Sequence, residues 1–396
     1  MSGPRVLVVN AGSSSLKYRL LDAATGETSA SGLVSEIGGA SHWTHDGVEP
    51  HDQDVDCPDH AAAFAWARRA LEAGDGLGTL VGVGHRVVHG GSRFTEPTRV
   101  DDDVLAALEE LAPLAPLHNP ANAEGIRRAG DAFPGVPGVA VFDTAFHRTI
   151  PAAAHTYAVP RPWREEYDVR RFGFHGSSYA YVSRRTAHLL GRPVEDLRMV
   201  LLHLGNGASA CAVDGGRSVE TSMGMTPTEG LVMGTRSGDL DPSIGGYLAR
   251  VAGIDAEGFD RALNRESGLL GLCGVSDFRS VEERVDAGDE DARLAVTTTI
   301  HRIVKYVGAY AAVLGRVDAL VFTGGIGERG ANVRAAVLDR LGLLGVRMDD
   351  AANADGDPER RISTPDSPVE VWVVPTDEER EIARETLRAL GEEPAW

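Results

Sequence analysis

Lysine is almost missing from this chain: of 39 lysines and arginines, only Lys17 and Lys305 are lysine. The shortage follows genome composition and excludes no function, but it makes the place of each ammonium group informative. Cysteine is also scarce. Cys57, Cys211 and Cys273 show neither paired nor metal-ligand spacing, which excludes a disulfide framework and fits a reducing cytoplasm. Basic charge is in deficit, with a net charge of -19. A general nucleic-acid partner is therefore not expected, because phosphate-backbone affinity needs basic surface. Small anionic ligands stay open, since a few arginines in a cleft set the local field. No apolar run reaches spanning length and no basic stretch precedes an apolar one at the N-terminus, so no membrane partner is expected. A Gly-Lys-Ser/Thr P-loop is absent.

What remains is 396 residues, 42% hydrophobic and 24% charged, enough for two to three domains with large cores. Arg5-Val-Leu-Val-Val-Asn10 reads as a buried strand, and Leu16 to Asp22 as its hairpin partner. The small residues Ala11 to Ser15 join them, with Lys17 just beyond. Such a turn lets backbone N–H groups approach an anion, and a nearby lysine acts as a point charge on phosphate. The plain alternative is a hairpin carrying an exposed lysine. Residues 38 to 60 lack periodicity and are expected to form a surface loop or small excursion. Helical patterns follow at 60 to 73, 101 to 111 and 121 to 131, with strands at 79 to 84 and 137 to 142.

A second cycle repeats this layout. The strand Arg198 to Leu204 is followed by Gly205-Asn206-Gly207-Ala-Ser209 and a strand ending at Asp214. Two copies of strand, small-residue turn and strand point to a duplicated α/β domain. The longest helix is predicted over 290 to 315. Its stripe of Val296, Ile300, Ile303, Val304, Val307, Ala311 and Leu314 reads as core or subunit interface, with Lys305 as a solvated or interface charge. A third turn, Gly324-Gly325-Ile326-Gly327-Glu328, follows the strand Asp318 to Thr323 and opens a helix at about 330.

Several residues could carry chemistry. Arg86, between glycines at a strand end, suits bidentate binding of carboxylate or phosphate, or an inter-element salt bridge. Asp143 stands where a strand ends, as a functional acid or a helix N-cap. His175 lies in the tight turn Gly173-Phe174-His175-Gly176, and Arg236 in a loop of small residues. Thr376 and Glu379 read as a capping box, which leaves Glu378 free to face a metal.

In order and spacing these motifs resemble the acetate kinase family, from residue 6 to about 385. The resemblance implies an α/β, two-domain actin-like ATPase fold, each domain a duplicated ribonuclease H-like unit. The implied domains are 1–150 with 380–396 on the acetate and metal side, and 151–379 for nucleotide binding and dimerisation. It also implies reversible transfer of phosphate from ATP to acetate, giving acetyl phosphate and ADP, with Mg²⁺ or Mn²⁺, in a cytoplasmic homodimer. Carried over, Asn10 and Glu378 are metal-site residues, and Lys17 is a nucleotide-phosphate contact. Arg86 binds the substrate carboxylate or its phosphate, Asp143 is the essential acid, and His175 and Arg236 stabilise the transferring group. The segments His203, Leu204, Gly205, Asn206, Gly207; Asp277, Phe278, Arg279; and Gly324, Gly325, Ile326, Gly327, Glu328 match nucleotide-binding stretches. Val88, Leu117, Phe174 and Pro227 match the pocket around the acetate methyl group. Departures stand at Asp377, where asparagine is usual, at Ser177 and Tyr179 in place of threonine and histidine, and at Thr228 in place of leucine. Thr228 bears on acyl-group preference more than on reaction type.

An acetate carboxylate is already ionised at neutral pH, so the work is positioning and charge neutralisation. Asp143 is accordingly expected to orient a donor or metal-bound water, not to take a proton, and domain closure to exclude water. Two alternatives are a propionate or butyrate kinase of the same fold and, more remotely, an actin-like or chaperone ATPase.

Overall fold

The apolar run near the N-terminus becomes the centre of the first of two sheets. The computed structural model describes residues 3–75 and 77–396. Backbone proximity divides the chain into two units, Met1–Ala145 with Asp377–Trp396, and Phe146–Thr376.

In the first unit the strands are β1 (Pro4–Ala11), β2 (Leu16–Asp22), β3 (Thr28–Ser35), β4 (His42–Asp46), β5 (His51–Asp54), β6 (Thr79–Val87), β7 (Thr98–Arg99) and β8 (Gly138–Phe142). Among the described residues they form one sheet in the order β5-β4-β3-β2-β1-β6-β8-β7. β1, β2 and β3 run antiparallel, while β1, β6 and β8 run parallel. The middle of β1, Val6 to Val9, is an unbroken apolar run because both its faces are covered. Leu7, Val9 and Ala11 pack with Tyr18, Trp43, Phe64 and Ala67 on one side. Val6 and Val8 pack on the other against Ile382, Ala383 and Leu387 of the helix Glu378–Ala389. Each such side chain contributes about 1.5–3 kcal/mol on full burial. The helices His60–Ala70, Asp102–Glu110 and Asn119–Ala132 match the expected segments to within a few residues. Asp59 and Asp101 cap the first two.

Residues 38 to 60 are not a loop. They contain the hairpin β4–β5, which extends the sheet edge. The strand alternation is present, but an inward position is held by His45, whose Nδ1 lies 2.8 Å from Tyr18 Oη. A histidine at an inward position hides the apolar period that would reveal the strand. Trp43 beside it is buried, donates to Tyr18 Oη at 3.1 Å and packs 5.2 Å from Trp66.

The second unit repeats the pattern. Its strands are β9 (Arg198–Leu204), β10 (Ala208–Asp214), β11 (Arg217–Thr221), β12 (Ala319–Thr323), β13 (Arg360–Arg361) and β14 (Glu370–Val373). Their order is β11-β10-β9-β12-β14-β13. A meander of three antiparallel strands again flanks two further parallel ones. The first unit shows the same succession in β3-β2-β1-β6-β8, so the duplication read from the sequence exists in the fold. The helix Glu290–Leu314 buries Ile300, Ile303, Val307 and Leu314 in the core and leaves Lys305 exposed. The third turn differs from expectation. A helix, Gly324–Arg329, starts at the first glycine, and a second, Ala331–Asp339, follows it.

Close packing of the helix Glu378–Ala389 on β6 depends on glycine. A Cβ on Gly84 would collide with Thr386 Oγ1 and lie 2.9 Å from Ile382 Cγ2. Gly130, inside a helix, has nothing within 4 Å of such a carbon. Gly84→Val is therefore expected to lower unfolding stability by about 1–3 kcal/mol. Gly130→Ala is expected to raise it by about 0.5–1 kcal/mol. Urea denaturation of the two variants checks both signs.

Candidate active site

In the first unit the C-terminal ends of β1, β6 and β8 carry the charged residues singled out above. Asn10 pairs in register with Lys17 across the hairpin. Arg86, next to last on β6, donates from Nε and Nη2 to the two carboxylate oxygens of Asp143 at 2.9 and 2.7 Å. The salt-bridge reading of Arg86 thus holds for the ligand-free chain, and Asp143 spends its carboxylate on Arg86, not on a helix cap. Asp143 foremost holds Arg86 firmly in its charged form, against burial.

The helix Glu378–Ala389 brings two more carboxylates to this corner. Its N-cap is Asp377, not Thr376: Asp377 Oδ1 accepts from Arg380 N at 3.1 Å and from Arg19 Nη1 at 2.6 Å. The expected capping box does not form, because Glu379 turns to Lys17 and, at 3.4 Å, to Arg19. Burial alone would raise the Glu379 carboxyl, but Lys17 and then Arg19 bring it below the usual range. Glu378 goes the other way. Burial raises it, Asp143 and Glu379 add to the rise, and Arg86 at 3.9 Å opposes it only in part. Glu378 is thus a carboxylate short of positive charge. Lys17 remains half exposed. Val88 is buried with its N–H on Asn122 Oδ1 at 3.1 Å, whereas Leu117 lies 48% exposed.

In the second unit His175 caps the helix Gly176–Leu190 in a left-handed conformation, φ 59°. Gly173 before it is also left-handed, and a Cβ there would come 2.7 Å from the buried His147 ring. The His175 ring stacks on His203 with centroids 4.2 Å apart. Arg236 Nη1 donates to the Pro227 carbonyl at 2.6 Å. A Cβ on Gly207 would stand 2.7 Å from Arg236 Nη2 and 3.4 Å from His175 Nε2. Guanidinium and imidazole therefore converge on one point of backbone, which glycine keeps open. Arg236 is part-buried and has no carboxylate partner among the described residues, and burial lowers its pKa. A desolvated cation lacking a counterion favours an anion beside it.

The nucleotide-type turns gather in the same unit. Gly324, at φ 76°, lies where a Cβ would be 2.8 Å from the Leu204 carbonyl. Its N–H and that of Thr376 both donate to Glu328 Oε1, at 2.9 and 3.3 Å. Gly205 approaches Gly325 N, and Gly234 N donates to the Asn206 carbonyl at 2.9 Å. Asp277 caps the helix Phe278–Asp286, with Phe278 buried and Arg279 exposed. His203 to Gly207 and Gly324 to Glu328 are thus brought together. Phe174 is buried. Thr228 directs its hydroxyl to Asn264 Oδ1 at 2.8 Å, so its polarity is taken up there.

The profile described as the Acetokinase family matches residues 5–384. The chain belongs to the acetokinase family. An acetate kinase of Leifsonia xyli subsp. xyli is 55% identical over 98% of this chain and 99% of its own. A crystal structure of the Porphyromonas gingivalis acetate kinase superposes with a TM-score of 0.90 at 42% identity, covering 98% of this chain and all of that one. A propionate kinase from Francisella tularensis superposes with a TM-score of 0.93 at 39% identity, covering 97% and 99%. Membership makes the chain a phosphotransferase with a carboxylate acceptor and gives it the fold of those kinases.

Some residues that shape this acetokinase site escaped the sequence reading. Arg171 Nη1 donates to the carbonyls of Thr221, Ser222 and Met223 at 2.9, 3.1 and 3.0 Å, and its Nη2 to Glu229 at 2.6 Å. It thereby pins the loop that leads to Pro227. Asn122 ties Val88 N to the Ala11 carbonyl, which it reaches at 2.9 Å. The asparagines of Asn119-Pro-Ala-Asn122, three apart on a helix start, were the available signal.

The two glutamates predict opposite responses. The depressed pKa of Glu379 means its ion pair stabilises above the ordinary glutamate value of 4.5 and is lost as pH falls through the lower folded value. Glu379→Gln should cost about 1 kcal/mol at pH 7, kept small by the half-exposed lysine, and nothing in strong acid. The raised pKa of Glu378 means its ionised form destabilises the free protein above that raised value. Glu378→Gln should raise the melting temperature at neutral pH, the gain fading as pH falls. Thermal melts from pH 3 to 8 check both.

Proposed function

We propose that this protein transfers the terminal phosphoryl group of ATP to acetate, reversibly, giving acetyl phosphate and ADP by direct in-line displacement. The observation that carries this reading is the convergence of Arg236 Nη2 and His175 Nε2 over Gly207, where Arg236 has no carboxylate partner among the described residues. A group that passes through a planar, phosphoryl-like transition state needs charge stabilisation at its equatorial oxygens, and a guanidinium with an imidazole donor supplies it. The acetate oxygen attacks phosphorus, the bond to the ADP oxygen breaks, and no general base is required.

On this reading the first unit takes the acid at Arg86, near the C-terminal end of β6. Arg86 binds the carboxylate through donors not given to Asp143, and Asp143 fixes the plane of the guanidinium. The second unit takes the nucleotide through His203 to Gly207, Asp277 to Arg279 and Gly324 to Glu328; in the first unit Lys17 is a cation suited to phosphate. Within the first unit Val88 and Leu117, and within the second Phe174 and Pro227, are the side chains assigned to the methyl group. The charge-deficient Glu378, with Asn10 as a neutral oxygen donor, suits Mg²⁺ carried with the nucleotide phosphates, since this ion uses few carboxylates and keeps waters. When bound, Mg²⁺ neutralises phosphate charge. The reading also carries a cytoplasmic homodimer. Its support is the helix Ser243–Ala252, which exposes Ile244, Tyr247 and Val251 at helical spacing, and the three free cysteines.

Propionate is the second acid to consider, given the superposition on the Francisella enzyme. In a hydroxamate assay with ATP, acetate is expected to give the highest kcat/KM, with propionate about tenfold lower, the usual worth of one methylene. Equal or greater kcat/KM for propionate would reassign the substrate. Arg236→Ala is expected to lower kcat by about 10²–10³-fold, the loss typical of one preorganised donor. Steady-state kinetics at saturating ATP and acid checks it.

A further inference from the structure

His175 has a second ring nitrogen that the phosphoryl-binding role leaves unused. Its Nδ1 lies 2.8 Å from Ser209 Oγ, and Ser209 Oγ lies 2.5 Å from Tyr179 Oη. Ser209 and Tyr179 are both fully shielded from solvent. Tyr179 stands one helical turn after His175, with its N–H on the His175 carbonyl at 3.0 Å. Ser209 stands on β10 opposite His203. The three groups are thus held by a helix start and a strand, not by loops alone.

The direction of the chain of hydrogen bonds follows from its far end. The buried Tyr179 hydroxyl has one hydrogen-bond partner among the described residues, Ser209 Oγ, and a buried O–H left undonated costs stability, so the phenol proton goes to Ser209 Oγ. Ser209 then gives its own proton to His175 Nδ1. A neutral imidazole that accepts at Nδ1 must carry its proton on Nε2. We propose that Tyr179 and Ser209 are positioning residues that hold His175 in the Nε2–H tautomer, aimed at the point where Arg236 also converges. The same second-partner logic orients histidines in other sites.

The chemistry explains why this matters. Arg236 Nη2 and His175 Nε2 converge on the same point beside Gly207, so a second full cation there would be repelled in a desolvated place. A neutral Nε2–H donor avoids that repulsion and still offers a hydrogen bond to an equatorial oxygen. Burial pushes the Tyr179 phenol well above its ordinary range, so it keeps its proton throughout. The groups facing this relay are His203 stacked on His175, the edge of His147 on Tyr179, Cys211 near Tyr179, and Arg236. Tyr179 is also a position where this chain departs from the histidine usual in the family it resembles. A phenol serves as a proton donor of fixed state there, which a histidine does not.

This inference rests on the phosphoryl-stabilising role given to His175, and its test separates the two. Long-range ¹H–¹⁵N spectra of the full ligand-free chain, with His175 assigned through loss of its signals in His175→Gln, read the tautomer directly. The wild type is expected to show neutral Nε2–H at pH 7.5. Tyr179→Phe is expected to shift His175 toward mixed tautomers and to lower kcat about tenfold, the effect of one lost hydrogen bond, with KM for ATP unchanged. The pH profile of kcat should shift with it. Ser209→Ala, which removes both bonds, serves if Tyr179→Phe does not fold. An Nδ1–H or doubly protonated His175 in the wild type overturns the proposal, as does an unchanged tautomer in Tyr179→Phe. Failure of the acetate kinase reading would show separately, as a wild-type chain that makes no acyl phosphate.

Discussion

The packing of the last helix on the first strands is the constraint on which the first unit depends. Ile382, Ala383 and Leu387 cover Val6, Val8, Val139 and Val141, and Gly84 lets the helix come close enough to do so. The same docking sets Glu378 and Glu379, at the start of that helix, beside Arg86 and Lys17. Hydrophobic burial at one end of the helix thus fixes electrostatics at the other. An apolar contact made with residues far apart in sequence decides which carboxylates meet which cations.

Charge is distributed unevenly between the two groups of site residues. Around Arg86 the carboxylates Asp143, Glu378 and Glu379 compete for too few cations, and Glu378 is left with a raised pKa. Around His175 the guanidinium of Arg236 pairs with no carboxylate among the described residues. Neither arrangement is optimal for a folded chain by itself, since uncompensated desolvated charge costs stability. Both make sense for a protein whose ligands bring the missing charges: a divalent cation to the first, phosphate oxygens to the second. Stability and function pull in opposite directions at such residues.

The sequence disclosed what repeats or punctuates. The limits of β2 and of the helix Glu290–Leu314 were readable because their apolar periodicity is unbroken, and the three glycine turns because each follows an apolar strand. The family membership rested on the order of such motifs. The hairpin β4–β5 was hidden because His45 holds an inward place and bonds to Tyr18, a partner 27 residues away. The cap at Thr376 was misread because Asp377, one residue on, offers a carboxylate that also binds Arg19. Ser209 was invisible in its role, since a serine within an apolar strand acquires meaning only when a helix start lies across from it. Local pattern reveals elements; partners from distant segments decide what their polar residues do.

The discontinuity of the first unit carries a consequence for how the chain is made. Its sheet needs residues 378 to 389 to cover one face, so synthesis leaves β1 half bare while residues 12 to 377 emerge. The second unit, drawn from one uninterrupted stretch, has all its strands by residue 373. The portion begun first is therefore the portion finished last, and during that interval the valines of β1 are a surface that invites unwanted partners.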